Sequence, residues 1–197
     1  MRTVGPMGSG PRAGLRTVRR HTSHRYEAVV LVGEEVVRST GMPADIAGLC
    51  ATGASVAVLT ASPLAPLTTR LSSVRGPGLV LLAGESGRER ATLGPDGVVY
   101  LPNSLTGTDE RAAEGEALQW IMNALWEGGV GPRSTLLVVD RERGFDDLDH
   151  LMIPAVTGVT LGIGGGAKSS SVPAGVITLG GEASGADLLE EQLRCRK

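Results

Sequence analysis

Three short, unbroken apolar runs, each followed by a segment with helical spacing or a turn signal, constrain this chain more than anything else in it. Residues 26–32 (YEAVVLV), 55–60 (SVAVLT) and 78–83 (GLVLLA) are dominated by Val, Leu and Ala. A strand with one wet face alternates apolar and polar residues, whereas an unbroken run is what a parallel strand covered on both faces requires. Between the first two runs, residues 43–52 read as a helix, with Pro43 at its start and Gly53 just past its end. Between the second and third, residues 63–74 place Leu64, Leu67 and Leu71 at three- and four-residue spacing. This rhythm predicts an α/β fold on a parallel sheet.

The chain then changes character. Ala91-Thr92-Leu93 and Val98-Val99-Tyr100-Leu101 flank the turn Gly94-Pro95-Asp96-Gly97, which predicts a hairpin. A polar loop follows at 103–109. The longest helix is expected over 109–127, with an apolar stripe through Ala113, Ala117, Leu118, Ile121, Leu125 and Trp126 and a stop at Gly128-Gly129. Further strands are expected over 134–140, 158–163 and 175–179, and a closing helix over 186–195. Gly164-Gly165-Gly166 and Ser169-Ser170-Ser171 suggest one mobile loop.

The length, 197 residues, fits one domain. Apolar residues make up 41% of it and aromatics only 3%, so the core is aliphatic. Single-stranded nucleic-acid binding usually needs stacking rings on a basic surface, so few aromatics and a net charge of −2 argue against a nucleic-acid partner. No apolar run approaches the about 20 residues that span a bilayer. Cys50 and Cys195 form no metal-binding pattern, and two free thiols suit a reducing, cytoplasmic compartment, Cys50 buried and Cys195 partly exposed. Residues 1–25 stand apart, with six arginines, two histidines and no acid. Taking those six charges from the net of −2 leaves −8 on the remainder. The segment reads as a disordered basic tail; an over-long start and a transit-like peptide are the alternatives. The folded domain is then 26–197.

In open parallel sheets, ligands bind beyond the carboxyl ends of the strands. Three of those ends carry polar groups here: Gly33-Glu34-Glu35, Thr60-Ala61-Ser62 and Asp140-Arg141-Glu142. Their order, with Glu114-Gly115-Glu116-Ala117-Leu118 between the second and third, resembles the haloacid dehalogenase-like phosphatases. The stretch from Tyr26 to Val37 is similar to that family's YDAVxFDxDGVV, residues 55–60 to its second motif, residues 114–118 to its KGxAL, and Leu137-Val138-Val139-Asp140 to its VxxGD. The likeness covers about residues 26–196 and is nearest to trehalose-phosphatase-like domains and to those linked to glycoside phosphorylases. It implies a three-layer Rossmann-like sheet with a reduced cap at about 84–108. It implies a phosphate site at Thr60 and Ser62, Mg²⁺ held by Glu34 and Asp140, and a sugar phosphate or a protein such as a glycoside phosphorylase as partner.

The departures from the family carry the functional expectation. Val32 stands at the nucleophile's position, Glu34 replaces the general acid/base, Glu35 the glycine after it, Glu114 the phosphate-neutralising lysine and Val139 the glycine before Asp140. Phosphoryl transfer of this kind needs a carboxylate nucleophile, Mg²⁺ and cationic or N–H groups around the phosphate. Two of these are missing at the matched positions, so a catalytically degenerate, pseudo-phosphatase domain with a binding or regulatory role is expected. The alternative is an active Mg²⁺-dependent sugar-phosphate phosphatase whose nucleophile has moved, with Glu34 and Asp140 catalytic.

Plainer readings exist for most of these residues. Thr60 serves equally as a helix cap. Asp140 can pair on the surface with Arg141 or Arg143. Asp146, Asp147 and Asp149 lack calcium-loop spacing, and His150 beside them stands alone. Gly162-Ile163-Gly164-Gly165-Gly166 opens no helix, which speaks against a dinucleotide fingerprint. Trp120 and Trp126 are expected in the core or an interface.

Overall fold

The computed structural model describes residues 25–34, 37, 41–102, 109–131, 134–139, 160–162, 176–178 and 185–196. Its strands are β1 (Ala28–Val32), β2 (Ser55–Leu59), β3 (Val80–Gly84), β4 (Glu89–Gly94), β5 (Gly97–Leu101), β6 (Thr135–Val139), β7 (Thr160–Gly162) and β8 (Val176–Thr178). Its helices are α1 (Met42–Ala51), α2 (Leu64–Leu71), α3 (Glu110–Glu127) and α4 (Gly185–Arg194), with a 3-10 turn at Glu85–Gly87. The strands form one sheet in the order β5-β4-β3-β2-β1-β6-β7-β8. Six of them, from β3 through β8, are parallel, and β4 and β5 extend the sheet antiparallel. The fold is therefore mixed α/β on a mostly parallel sheet, as the apolar runs require.

The unbroken runs are unbroken because both faces are covered. Val29 and Leu31 of β1, Val56 and Val58 of β2, and Leu136 and Val138 of β6 point to one side. There they meet Met42, Ile46 and Leu49 of α1, Leu64, Leu67 and Leu71 of α2, and Leu188 and Leu189 of α4. The alternate residues Ala28, Val30, Val32, Ala57, Leu59 and Leu137 point the other way, onto Ala117, Leu118, Ile121 and Leu125 of α3. Burying a Val or Leu side chain is worth about 1.5–3 kcal/mol, so β1 alone commits a large share of the domain's stability to its two faces. Gln192 ties the last helix to the first strand: its carbonyl, fully buried, accepts the Tyr26 amide at 3.2 Å.

In the described part of the segment expected as a reduced cap, residues 84–102, a 3-10 turn at Glu85–Gly87 leads into β4 and β5, which extend the sheet, β4 pairing with β3 from Val80↔Leu93 to Gly84↔Glu89. Trp126 is 68% exposed and so lies outside the core, where Leu125 beside it takes the inward position. Trp120 is half-buried and lies 5.7 Å from the Arg90 guanidinium, which covers its ring. Both cysteines are free, and burial pushes the Cys50 thiol up to about 11. Among the described residues no helix is long and apolar enough to cross a membrane.

Candidate functional site

The chain runs from β1 outward to β2 and β3, then returns to place β6 on the other side of β1. That reversal is the topological switch point, where a crevice opens beyond the carboxyl ends of the strands. Three strand exits meet there among the described residues: Gly33-Glu34 after β1, residues 60–62 after β2 and Gly84-Glu85-Ser86 after β3. Gly33, with φ of 125°, takes a backbone conformation that a side chain disfavours, and its amide donates to Leu59 O at 2.9 Å. The turn that follows brings Glu34 over the end of β2.

The Glu34 carboxylate is held by donors on both oxygens. Oε1 accepts the Thr60 hydroxyl, in a short hydrogen bond, and the Ser62 amide at 3.0 Å. Oε2 accepts the Ser62 hydroxyl at 2.8 Å. The Ala61 amide adds a further donor. Burial alone would raise the Glu34 carboxyl, but the bonds from Thr60, Ser62 and Ala61 outweigh it and hold the group below the ordinary carboxylate value. Thr60 also accepts the Ser62 amide at 3.1 Å, which tightens the turn.

The reverse side of the same turn is braced. The Thr60 amide donates to Ala83 O at 2.9 Å. Thr60 O accepts the Ser86 amide at 3.1 Å, and Ser62 O accepts the Glu85 amide at 3.0 Å. Glu85 and Ser86 reach these positions with φ of 47° and 54°, left-handed conformations that cost non-glycine residues of order 1–3 kcal/mol each. Ser86 is fixed further by its hydroxyl, which donates to Glu110 of α3 at 2.6 Å. The first free amide of α2, Leu64 N, is taken by Glu89 at 2.6 Å, so the helix end is capped from β4 and not by Thr60.

The structure thus brings three of the expected site residues, Glu34, Thr60 and Ser62, into one hydrogen-bonded group. The fourth, Asp140, lies outside the described residues, as do Glu35, Asp146, Asp147, Asp149 and His150. Glu114 is on α3 with only 5% of its surface exposed. The two Glu34 oxygens accept hydroxyl and amide protons from the turn, so a cation placed there would share the carboxylate with these protein donors. Among the described residues no three His, Cys, Asp or Glu side chains gather as a metal site. Val32 is wholly buried among Leu59, Ala117 and Leu118, where it contributes packing and no chemistry. Sequence reasoning did not single out Ser86 and Glu110, which brace the turn; a buried serine between Gly84 and Gly87, one strand over from Thr60, was the available signal.

The linkage of Glu34 has a definite sign. A carboxyl held below its unfolded value of about 4.5 stabilises the fold fully above that pH and loses the contribution as pH falls through the folded value. Glu34→Gln is therefore expected to be less stable than the parent chain at about pH 7 and to approach it at about pH 3. Urea unfolding of both proteins at the two pH values reads this directly; a gap that stays constant with pH would remove the carboxylate from the account.

Compared with family models, with curated proteins and with solved structures, the chain matches none.

Proposed function

We propose that this chain is a catalytically degenerate haloacid dehalogenase-like domain, a pseudo-phosphatase with a binding or regulatory role in carbohydrate metabolism. The observation that carries the reading is the first strand's exit. Where a phosphatase of this kind needs a carboxylate in the crevice, Val32 is sealed in the core, and the next carboxylate along, Glu34, is bound by the chain itself. Helices on both faces of a parallel sheet, with β1 central, support the three-layer Rossmann-like arrangement that goes with it. The partner is a sugar phosphate held without turnover or a protein such as a glycoside phosphorylase. The two free thiols support a reducing, cytoplasmic setting.

The competing reading makes Glu34 a relocated nucleophile in an active Mg²⁺-dependent phosphatase. Against it, both Glu34 oxygens accept protein donors, which stabilises the carboxylate and makes it a weaker nucleophile. Phosphate release from a panel of sugar phosphates, trehalose 6-phosphate included, decides between them, with Mg²⁺ and high protein concentration. The degenerate reading expects release no faster than from the Glu34→Gln protein. Release that Glu34→Gln abolishes would establish the competing one.

A further inference from the structure

The turn at residues 60–62 has an unusual polarity. Its two carbonyls that are accounted for, on Thr60 and Ser62, face the loop after β3 and accept the Ser86 and Glu85 amides. Donors of the same turn are directed instead at Glu34: the Thr60 hydroxyl, the Ala61 and Ser62 amides and the Ser62 hydroxyl. Four donors on three consecutive residues, with the Thr60 and Ser62 carbonyls turned away, make a surface for oxygen atoms that carry negative charge. The brace behind it is independent of Glu34, since it is built from Ala83, Glu85, Ser86 and Glu110. The donors therefore keep their positions when the carboxylate leaves.

We infer that this turn is a complete oxyanion cradle that the chain keeps filled with its own Glu34 carboxylate, so that a phosphate group enters only when that side chain is withdrawn. Two carboxylate oxygens take up donors that would otherwise serve the oxygens of a phosphate monoester. The segment that carries the plug is anchored at a second point, where Arg70 of α2 donates to the Val37 carbonyl. The chain is thus held at Glu34 and again at Val37. This deepens the degenerate-phosphatase reading and concerns the same turn, but it is a statement about occupancy, tested by binding and not by turnover.

The consequence is a site that binds phosphate poorly in the parent chain and well without the plug. A ligand that needs a minor open state populated at roughly 0.1–10% has its apparent affinity reduced by that fraction. Removing the plug should restore it, a gain of about 10-fold or more.

The test is a titration with inorganic phosphate, followed by the amide resonances of Ala61 and Ser62 and by calorimetry. It uses the parent chain and the Glu34→Ala, Glu34→Gln and Glu85→Gln proteins. Glu85 is exposed and its amide touches the same turn, so Glu85→Gln removes an equal charge nearby without opening the cradle. Expected are a gain of about 10-fold or more for Glu34→Ala, a smaller gain for Glu34→Gln, and a change of less than about 2-fold for Glu85→Gln. Adding Ser62→Ala to Glu34→Ala should take most of the gain away. The inference is overturned if a folded Glu34→Ala protein binds phosphate no better than the parent, or if Glu85→Gln gains as much. Should Glu34→Ala fail to fold, Glu34→Gln carries the same decision. Turnover by the parent chain would end the degenerate reading and leave the occupancy result standing.

Discussion

Val32→Asp is expected to cost about 3–5 kcal/mol and to restore no phosphatase activity. Val32 is wholly buried at the end of β1, with Leu59 of β2 and Val139 of β6 as its neighbours in the sheet. Its side chain belongs to the cluster with Ala57, Leu59, Ala83, Ala117 and Leu118. A carboxylate there loses its hydration and gains no cation; it either protonates or pushes the strand end open, and an uncompensated buried charge costs about 3–5 kcal/mol. That is a large part of the 5–15 kcal/mol that typically holds a domain together. Val32→Thr keeps the shape and buries only a hydroxyl, so it should lose less, about 1–3 kcal/mol. Urea midpoints of the three proteins rank them. If Val32→Asp unfolds at the parent midpoint, the residue faces the crevice after all.

Gly78→Ala is expected to lose about 3 kcal/mol or more, through backbone contact alone. A Cβ at Gly78 would sit 1.8 Å from the Ala54 carbonyl oxygen, 2.7 Å from its carbon and 3.2 Å from Cys50 Cα. None of these is the tip of a side chain that can turn aside. Relief requires the entry to β3 to move off the turn between α1 and β2, which breaks the Gly78 amide's bond to Cys50 O and strains the Val56 amide's bond to Leu79 O. Overpacking of a close-packed site costs about 1–3 kcal/mol when neighbours can adjust, and more when they cannot. Gly115→Ala is the matched control: a Cβ at Gly115 meets nothing within 4 Å in the middle of α3. There alanine should gain about 0.5–1 kcal/mol, because it is the better helix former. Opposite signs at the two positions are the expected thermal-unfolding result; a loss at both would point to a general intolerance that the geometry does not contain.

Gly78 also shows why part of the fold was legible and part was not. The runs at 26–32 and 55–60 read as buried strands because burial on two faces is written in composition, and β1 and β2 lie within them. The third apolar run starts at Gly78, but β3 begins at Val80: the two residues before it are spent on passing the α1 to β2 turn, a contact between segments far apart in the chain. The hairpin was visible from Gly94-Pro95-Asp96-Gly97, whereas its pairing with β3 was not, since sheet order is not a local property. At the site, strand ends were enough to place Glu34, Thr60 and Ser62 together. They did not say which way Glu34 would turn. That depends on the Gly33 backbone and on the left-handed brace at Glu85 and Ser86, neither of which leaves a periodic trace in the sequence.

The central claim is that, among the described residues at the end of β1, Glu34 is the one carboxylate and does not attack phosphorus. Intact-protein mass after incubation with acetyl phosphate and Mg²⁺ tests it most directly, because a covalent mechanism of this kind begins by forming a phosphoryl-carboxylate. The account predicts an unchanged mass for the parent chain, with Glu34 engaged by Thr60 and Ser62. A gain of one phosphoryl group that Glu34→Gln abolishes would contradict it.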